Sequence, residues 1–252
     1  MTDFETASKS FLISGKNYSY AMYVNKSGYL QHLYYGKRID KTDVPFLISA
    51  HGENCAPDLS DFNADMLTDA MPAEAGSFGK GDFRSATVIV RRNDGSAMSS
   101  FKYLCHKTVK GAVKLAGQPC VRKADATLII TLKDDCSDTQ IDLCYTASEN
   151  SDVLVRNTVI RNCGKDAAEI VKAYSFCVQL PDTCGTYSAL RLAGAWASER
   201  KPVTTPLAEG ELKIQSAHGY SSHAMNPFLA VLAEDCGENN GECYGFNLLY
   251  SG

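Results

Sequence analysis

Acid, base and nucleophile side chains are scattered along this chain, and their spacing decides what each can do. Its 29 Asp and Glu residues include enough carboxylates for a glycosidase pair, which needs about 5 Å between the two groups for retention and a wider gap for inversion. Abundance selects no pair. Asp58, Asp61, Asp65 and Asp69 recur every three or four residues, the spacing of one solvated acidic helix face. Ser221-Ser222-His223 sets a nucleophile type beside a base type. Sequence neighbours do not present triad geometry, however, and no partner acid is marked. The five histidines, His32, His51, His106, His218 and His223, stand singly, and the ten cysteines include no Cys-x-x-Cys pair, so neither a zinc site nor a thioredoxin-like centre is indicated. Phosphate-cradling glycine loops, His-Glu-x-x-His and Gly-x-Ser-x-Gly are absent from the sequence. The residues alone therefore predict no catalytic group, no metal site and no cofactor.

The bulk properties narrow the partners. A formal net charge of −4 and a pI near 5.7 are wrong for tracking nucleic-acid phosphates, which takes a basic face. The N-terminus is acidic and lacks a secretory signal, and no apolar run reaches the ~18 residues of a membrane span. A cytoplasmic protein with reduced thiols is expected; Cys144 and Cys177 lie inside apolar strand patterns, where free Cys packs as a small hydrophobe. Thirteen Tyr and ten Phe against one Trp suit strand cores, and they also suit the apolar faces of sugars.

Strands must position whatever chemistry there is, because the dominant period is two. Residues 11–24 hold a strand, a Gly15-Lys16-Asn17 turn and a second strand, and after Asn25-Lys26-Ser27-Gly28 a third runs over 29–35, which predicts a β-hairpin. Further strands are expected at 86–92, 101–107, 126–132, 139–146, 153–161 and 168–180, parted by Asp, Asn, Gly and Ser clusters. In 139–145 the alternation places Ile141, Leu143 and Tyr145 on one face. Regular short strands predict an all-β fold, a large antiparallel β-sandwich (supersandwich), as one domain over 1–252 with few short helices. Residues 40–81 read as one long irregular loop holding at most a short helix near 61–70; a loop of that length is usually functional.

Five motifs occur in order from residue 34 to the end: Tyr34-Tyr35-Gly36-Lys37-Arg38; Gly79-Lys80-Gly81-Asp82-Phe83-Arg84-Ser85; Gly194-Ala195-Trp196 with Glu199-Arg200; Ser221-Ser222-His223 with Asn226-Pro227-Phe228; and Gly241-Glu242 with Tyr244-Gly245-Phe246 and Leu249-Tyr250-Ser251-Gly252. Together they resemble glycoside hydrolase family 36. The resemblance implies a retaining α-galactosidase acting on melibiose, raffinose and related α-galactosides, built from an N-terminal β-sandwich, a central β/α barrel and a small C-terminal β domain. In that family both catalytic Asp residues come from the barrel. A chain ending at Gly252 is therefore expected to be the non-catalytic N-terminal domain, without the barrel and inactive alone.

In tetrameric members of the family, the long loop after the Tyr-Tyr-Gly-Lys hairpin reaches a neighbouring subunit's sugar pocket. The resemblance thus implies a homo-oligomeric parent in which residues 46–58 approach sugar, with His51 and Glu53 as substrate-binding candidates; sugar contact and plain solvation both stay open for them. Trp196, Arg200, His223 and Asn226 are expected to form a structural seam with the barrel, Arg200 offering a planar fork to a carboxylate. Sugar binding by Trp196 is the other reading. The expected partners are α-galactoside oligosaccharides and the chain's own barrel. A stand-alone carbohydrate-binding β-sandwich module and a free-standing β-sandwich enzyme are the competing functions. The motif at 249–252, which leads toward the barrel in the family, favours the N-terminal domain.

Overall fold

Ser10–Ser14 (β1), Tyr18–Val24 (β2) and Leu30–Lys37 (β3) form an antiparallel sheet in that order, seen in a computed structural model that describes residues 9–52, 72–181, 185–208, 210–218, 220 and 222–249, with the backbone alone over 49–52. Alternation splits these strands between two cores. Phe11, Ile13, Tyr18, Tyr20, Met22 and Leu30 belong to the large hydrophobic cluster, whereas Leu12, Ala21 and Leu33 belong to a smaller one, as the two-residue period requires. The ladder slips once: Ala21 faces Tyr34 and Met22 faces His32. Leu33 is the extra residue of a bulge, so Leu33 and Tyr34 both stay with the smaller cluster and Tyr35 returns to the large one.

A short helix closes the smaller cluster. A 3₁₀ turn over Lys41–Asp43 leads into Val44–Gly52 (α1). The Asp40 N–H donates to Asp43 Oδ2 at 2.9 Å, and Pro45 sits in the first turn, where its missing N–H loses no helical bond. Val44 is buried against Leu12, Ala21 and Leu33, with Leu47 and Ile48 packed beside it. Residues 46–52, which the sequence pattern assigned to the irregular loop, are thus helical because these apolar side chains cover the sheet's second face. The helix expected near 61–70 lies outside the described residues.

Val88–Arg91 (β4) pairs with Glu169–Ala173 (β9), and Phe101–Lys110 (β5), Ala126–Asp134 (β6), Thr139–Ala147 (β7) and Val155–Asn162 (β8) form an antiparallel sheet in sequence order. Leu128, Ile130 and Leu132 on β6 and Ile141, Leu143 and Tyr145 on β7 join Phe11, Ile13 and Tyr20 in the large cluster, so this sheet packs face to face on β1–β3. Each such aliphatic side chain contributes about 1.5–3 kcal/mol by leaving water. The expected strand at 168–180 stops at Ala173. There the Tyr174 N–H donates to Thr87 O at 2.8 Å, and Phe176 and Val178 pack on the core from irregular chain.

Ser188–Ala195 (β10), Ser198–Pro206 (β11), Met225–Leu232 (β12) and Cys243–Asn247 (β13) make a separate antiparallel sheet in the order β11-β10-β12-β13. The chain divides into two compact units, Met1–Val113 with Val121–Leu180, and Lys114–Cys120 with Pro181–Gly252. No composition shift marks this division in the sequence. Pro202 lies on the edge strand β11, where a missing donor is tolerated.

Candidate functional site

In the second unit, β10 and β11 pair down to Ala195 opposite Ser198, so Trp196 and Ala197 alone make the turn. The register slips at Gly194, and space explains why glycine stands there. A β-carbon on it would sit 2.6 Å from Ser198 O, 2.8 Å from Glu199 Cα and 3.0 Å from His223 O. Ala197 (φ 59°) and Arg200 (φ 56°) both occupy the left-handed region, which is costly for side chains with a β-carbon. Glu199 braces the tip by accepting the Ala197 N–H at 2.9 Å. The result displays the chain's single Trp: Trp196 is 82% exposed.

His223 and Asn226 arrive at the same end of the sheet. Met225 on β12 pairs with Ala193, Asn226 follows it half-buried, and His223 is exposed, with its carbonyl oxygen close to Gly194. Ser222 Oγ accepts the Met225 N–H at 3.1 Å and shapes the lead-in. The structure therefore brings Trp196, Arg200, His223 and Asn226 to one end of one sheet. Arg200, like Trp196, is exposed, and among the described residues it makes no ion pair. This surface suits packing against another protein surface or a sugar face: an aromatic anchor, a planar cation and an imidazole.

The other pair is not brought to this place. His51 lies in the last turn of α1 as a backbone position, its side chain being among those not described, and Glu53 lies outside the described residues.

Sequence reasoning missed a buried polar constellation in the first unit. Glu74 is 0% exposed. Its Oε1 accepts from Tyr20 Oη at 2.6 Å and from His32 Nδ1 at 2.9 Å, and its Oε2 accepts from Tyr145 Oη at 2.6 Å. The Arg156 guanidinium lies 4.4 Å from the centre of the Tyr145 ring. Its Nη1 donates to Asn157 O at 2.7 Å, while Nε and Nη2 are buried without a hydrogen bond. Burial pushes the Glu74 pKa up, but the hydrogen bond and charge of His32, the charge of Arg156 and the Tyr145 hydroxyl outweigh it, and the carboxyl lies below its ordinary value. Burial first, then the Glu74 charge, raises Tyr20 well above the usual tyrosine range; burial also dominates at Tyr145, where Arg156 opposes it and Glu74 adds to it. These groups tie β2 and β3 to β7 across the core. The sequence held one signal: strand parity puts Tyr20, Met22, Leu30 and His32 on the same inward face, so His32 had to find a buried partner.

The Gly-Lys-Gly-Asp-Phe-Arg-Ser motif forms a closed loop. Arg84 Nε and Nη2 donate to Asp82 Oδ1 and Oδ2 at 3.0 and 3.1 Å, a bidentate pair around exposed Phe83.

Residues 28–252 match the family model described as the glycosyl hydrolase family 36 N-terminal domain. The α-galactosidase AgaA of Geobacillus stearothermophilus is 34% identical over 97% of this chain, and the match covers 34% of that relative. The structure of the α-galactosidase AgaB from the same organism superposes with a TM-score of 0.86 at 31% identity, over 97% of this chain and 34% of that one. An AgaA variant in complex with raffinose superposes at 0.83 with 30% identity, over 94% of this chain and 33% of that one. The chain thus spans about a third of the length of the curated relatives it matches.

Proposed function

The chain belongs to the glycosyl hydrolase family 36 N-terminal domain family, and from that premise we propose that it serves as the non-catalytic N-terminal domain of a retaining α-galactosidase that hydrolyses terminal α-galactosides such as melibiose and raffinose. One observation carries this reading. The match takes in nearly all of this chain but only 34% of AgaA, so the carboxylate pair that cleaves a glycosidic bond has its place in the remainder. The tip bearing Trp196 and Arg200, with His223 and Asn226 beside it, packs on the barrel as the seam. Residues 46–58, with His51 and Glu53, approach the sugar pocket of a neighbouring subunit in a homo-oligomeric, cytoplasmic enzyme.

Purified alone, the chain should leave an aryl α-galactoside uncleaved. Turnover that disappears when a carboxylate within residues 1–252 is replaced would overturn the proposal. A second reading, a stand-alone carbohydrate-binding module, draws on the exposed indole of Trp196, since aromatic faces stack on pyranoses. Calorimetric titration of the chain with melibiose separates the two: binding that is lost in Trp196→Ala supports the module, and no heat supports the seam. Among the described residues no helix is long and apolar enough to cross a membrane.

A further inference from the structure

The hairpin joining β12 and β13 folds its loop back on itself. Leu232 pairs with Cys243, and the Ala233 N–H donates to Glu242 O at 3.0 Å. Beyond that rung the Cys236 N–H donates to Ala233 O at 3.0 Å, the Gly237 N–H to Asn240 O at 2.9 Å, and Asn240 Nδ2 to Asp235 O at 2.8 Å. Gly241 permits the close return: at φ 85° a β-carbon there would stand 2.5 Å from Cys236 Cα and 2.8 Å from Asp235 O. This return sets two thiols side by side. Cys236 is half-buried, Cys243 is exposed and both are free, and Cys236 packs against Gly241, two residues before Cys243 on the returning chain.

We infer that Cys236 and Cys243 are an oxidation site, a dithiol that closes to a disulfide when it meets a peroxide. Cys236 reacts first: its thiolate attacks one peroxide oxygen, the O–O bond breaks, and with one proton the leaving oxygen departs as water, leaving a sulfenic acid. The Cys243 sulfur then displaces the sulfenic oxygen. The S–S bond forms, the S–O bond breaks, and a second water leaves with the remaining protons. Two thiols are oxidised and one peroxide is reduced to two waters. Burial, then the neighbouring Cys236, raises the Cys243 pKa above the ordinary thiol value, in keeping with its role as the thiol that resolves the sulfenic acid in this second step. The product pins the far end of the β12–β13 hairpin.

The sequence supplies its own assay. Glu238 and Glu242 stand between the two cysteines, so cleavage at Glu leaves Cys236 and Cys243 on separate peptides held together only by a disulfide. The chain is exposed to hydrogen peroxide, blocked with N-ethylmaleimide and digested without reductant. A linked peptide pair is expected, lighter than the sum of its parts by two hydrogens and parted by reductant, while Cys105, Cys120 and Cys163 remain alkylated. Cys243→Ser should leave the Cys236 peptide unlinked and oxygenated or alkylated. Separate peptides after peroxide treatment of the wild type would overturn the proposal. So would linkage of Cys236 to a different cysteine, or linkage no faster in the folded chain than in urea.

Discussion

Replacing Glu74 by Gln removes the charge at the centre of the core and nearly preserves the shape. The carboxylate takes hydrogen bonds from Tyr20, His32 and Tyr145 at 2.6, 2.9 and 2.6 Å. A hydrogen bond to a charged group is worth about 1.5–3 kcal/mol net and a neutral one about 0.5–1.5. Turning three charge-assisted bonds into neutral ones therefore costs about 3 kcal/mol. The amide nitrogen cannot accept, so one tyrosine hydroxyl or the imidazole must turn or go unpaired, and Arg156 loses its counter-charge. The sum lies within the roughly 3–5 kcal/mol of a broken buried ion pair. Urea unfolding at neutral pH, followed by far-UV circular dichroism, should show the unfolding free energy falling by that amount, as a lower midpoint with the slope unchanged. The pH profile gives a second measurement. Because the folded-state pKa of Glu74 lies below its unfolded value, its contribution is full above the unfolded pKa and is lost as pH falls through the folded one. Glu74→Gln should flatten that acid limb. A variant within about 1 kcal/mol of wild type, or one with an unchanged acid limb, would refute the reasoning.

Tyr20 and Tyr145 are raised well above the usual tyrosine pKa, so the stability held by their neutral hydroxyls persists below the unfolded value of about 10 and is lost as pH rises through the raised ones. Tyrosinate absorbance for these two should appear together with alkaline unfolding and not before it. Gly194→Ala forces a β-carbon to 2.6 Å from Ser198 O and should cost about 2 kcal/mol or more, read as a lower thermal midpoint by Trp fluorescence. Trp196→Ala, at an 82% exposed site, should leave the isolated chain within about 0.5 kcal/mol of wild type while lowering the thermal midpoint of the full-length enzyme; a loss confined to the isolated chain would remove the seam. In the full-length enzyme, His51→Ala with Glu53→Ala should lower kcat/KM by about 1–3 kcal/mol if the pair touches sugar, and parental kinetics would end that assignment.

The first unit was legible where burial enforces a period. Ile141, Leu143 and Tyr145 alternate because one face of β7 meets the core, and the hairpin of β2 and β3 announced itself through Asn25-Lys26-Ser27-Gly28 between two apolar runs. The second unit gave no such signal. β11 reads Ser-Glu-Arg-Lys-Pro-Val-Thr-Thr-Pro on an edge, mostly exposed, so no alternation is imposed on it, and only the short motifs at 194–200, 221–228 and 241–252 pointed to this unit. α1 was hidden because it is only nine residues long and its apolar residues, Val44, Phe46, Leu47, Ile48 and Ala50, run together rather than marking one face, so little periodicity stands out from a loop.

Glu74 was the least legible residue, since Pro72-Ala73-Glu74-Ala75 has no pattern and its partners lie on β2, β3 and β7. Its surroundings also say what it does. A general acid for glycoside cleavage needs a carboxyl raised toward neutrality by an apolar pocket, with an open face for the leaving oxygen. Glu74 is the opposite case: burial pushes its pKa up, but His32, the Arg156 guanidinium and the Tyr145 hydroxyl together hold it down, and no surface of it meets solvent. The surface of the second unit complements that chemistry. Its displayed groups, Trp196 and Arg200, have no proton to transfer at neutral pH and offer apolar area and a fixed positive charge instead. Glu74 thus spends a fully buried carboxylate on joining two sheets, while the strained tip of the second unit presents an aromatic and a cation as a contact surface.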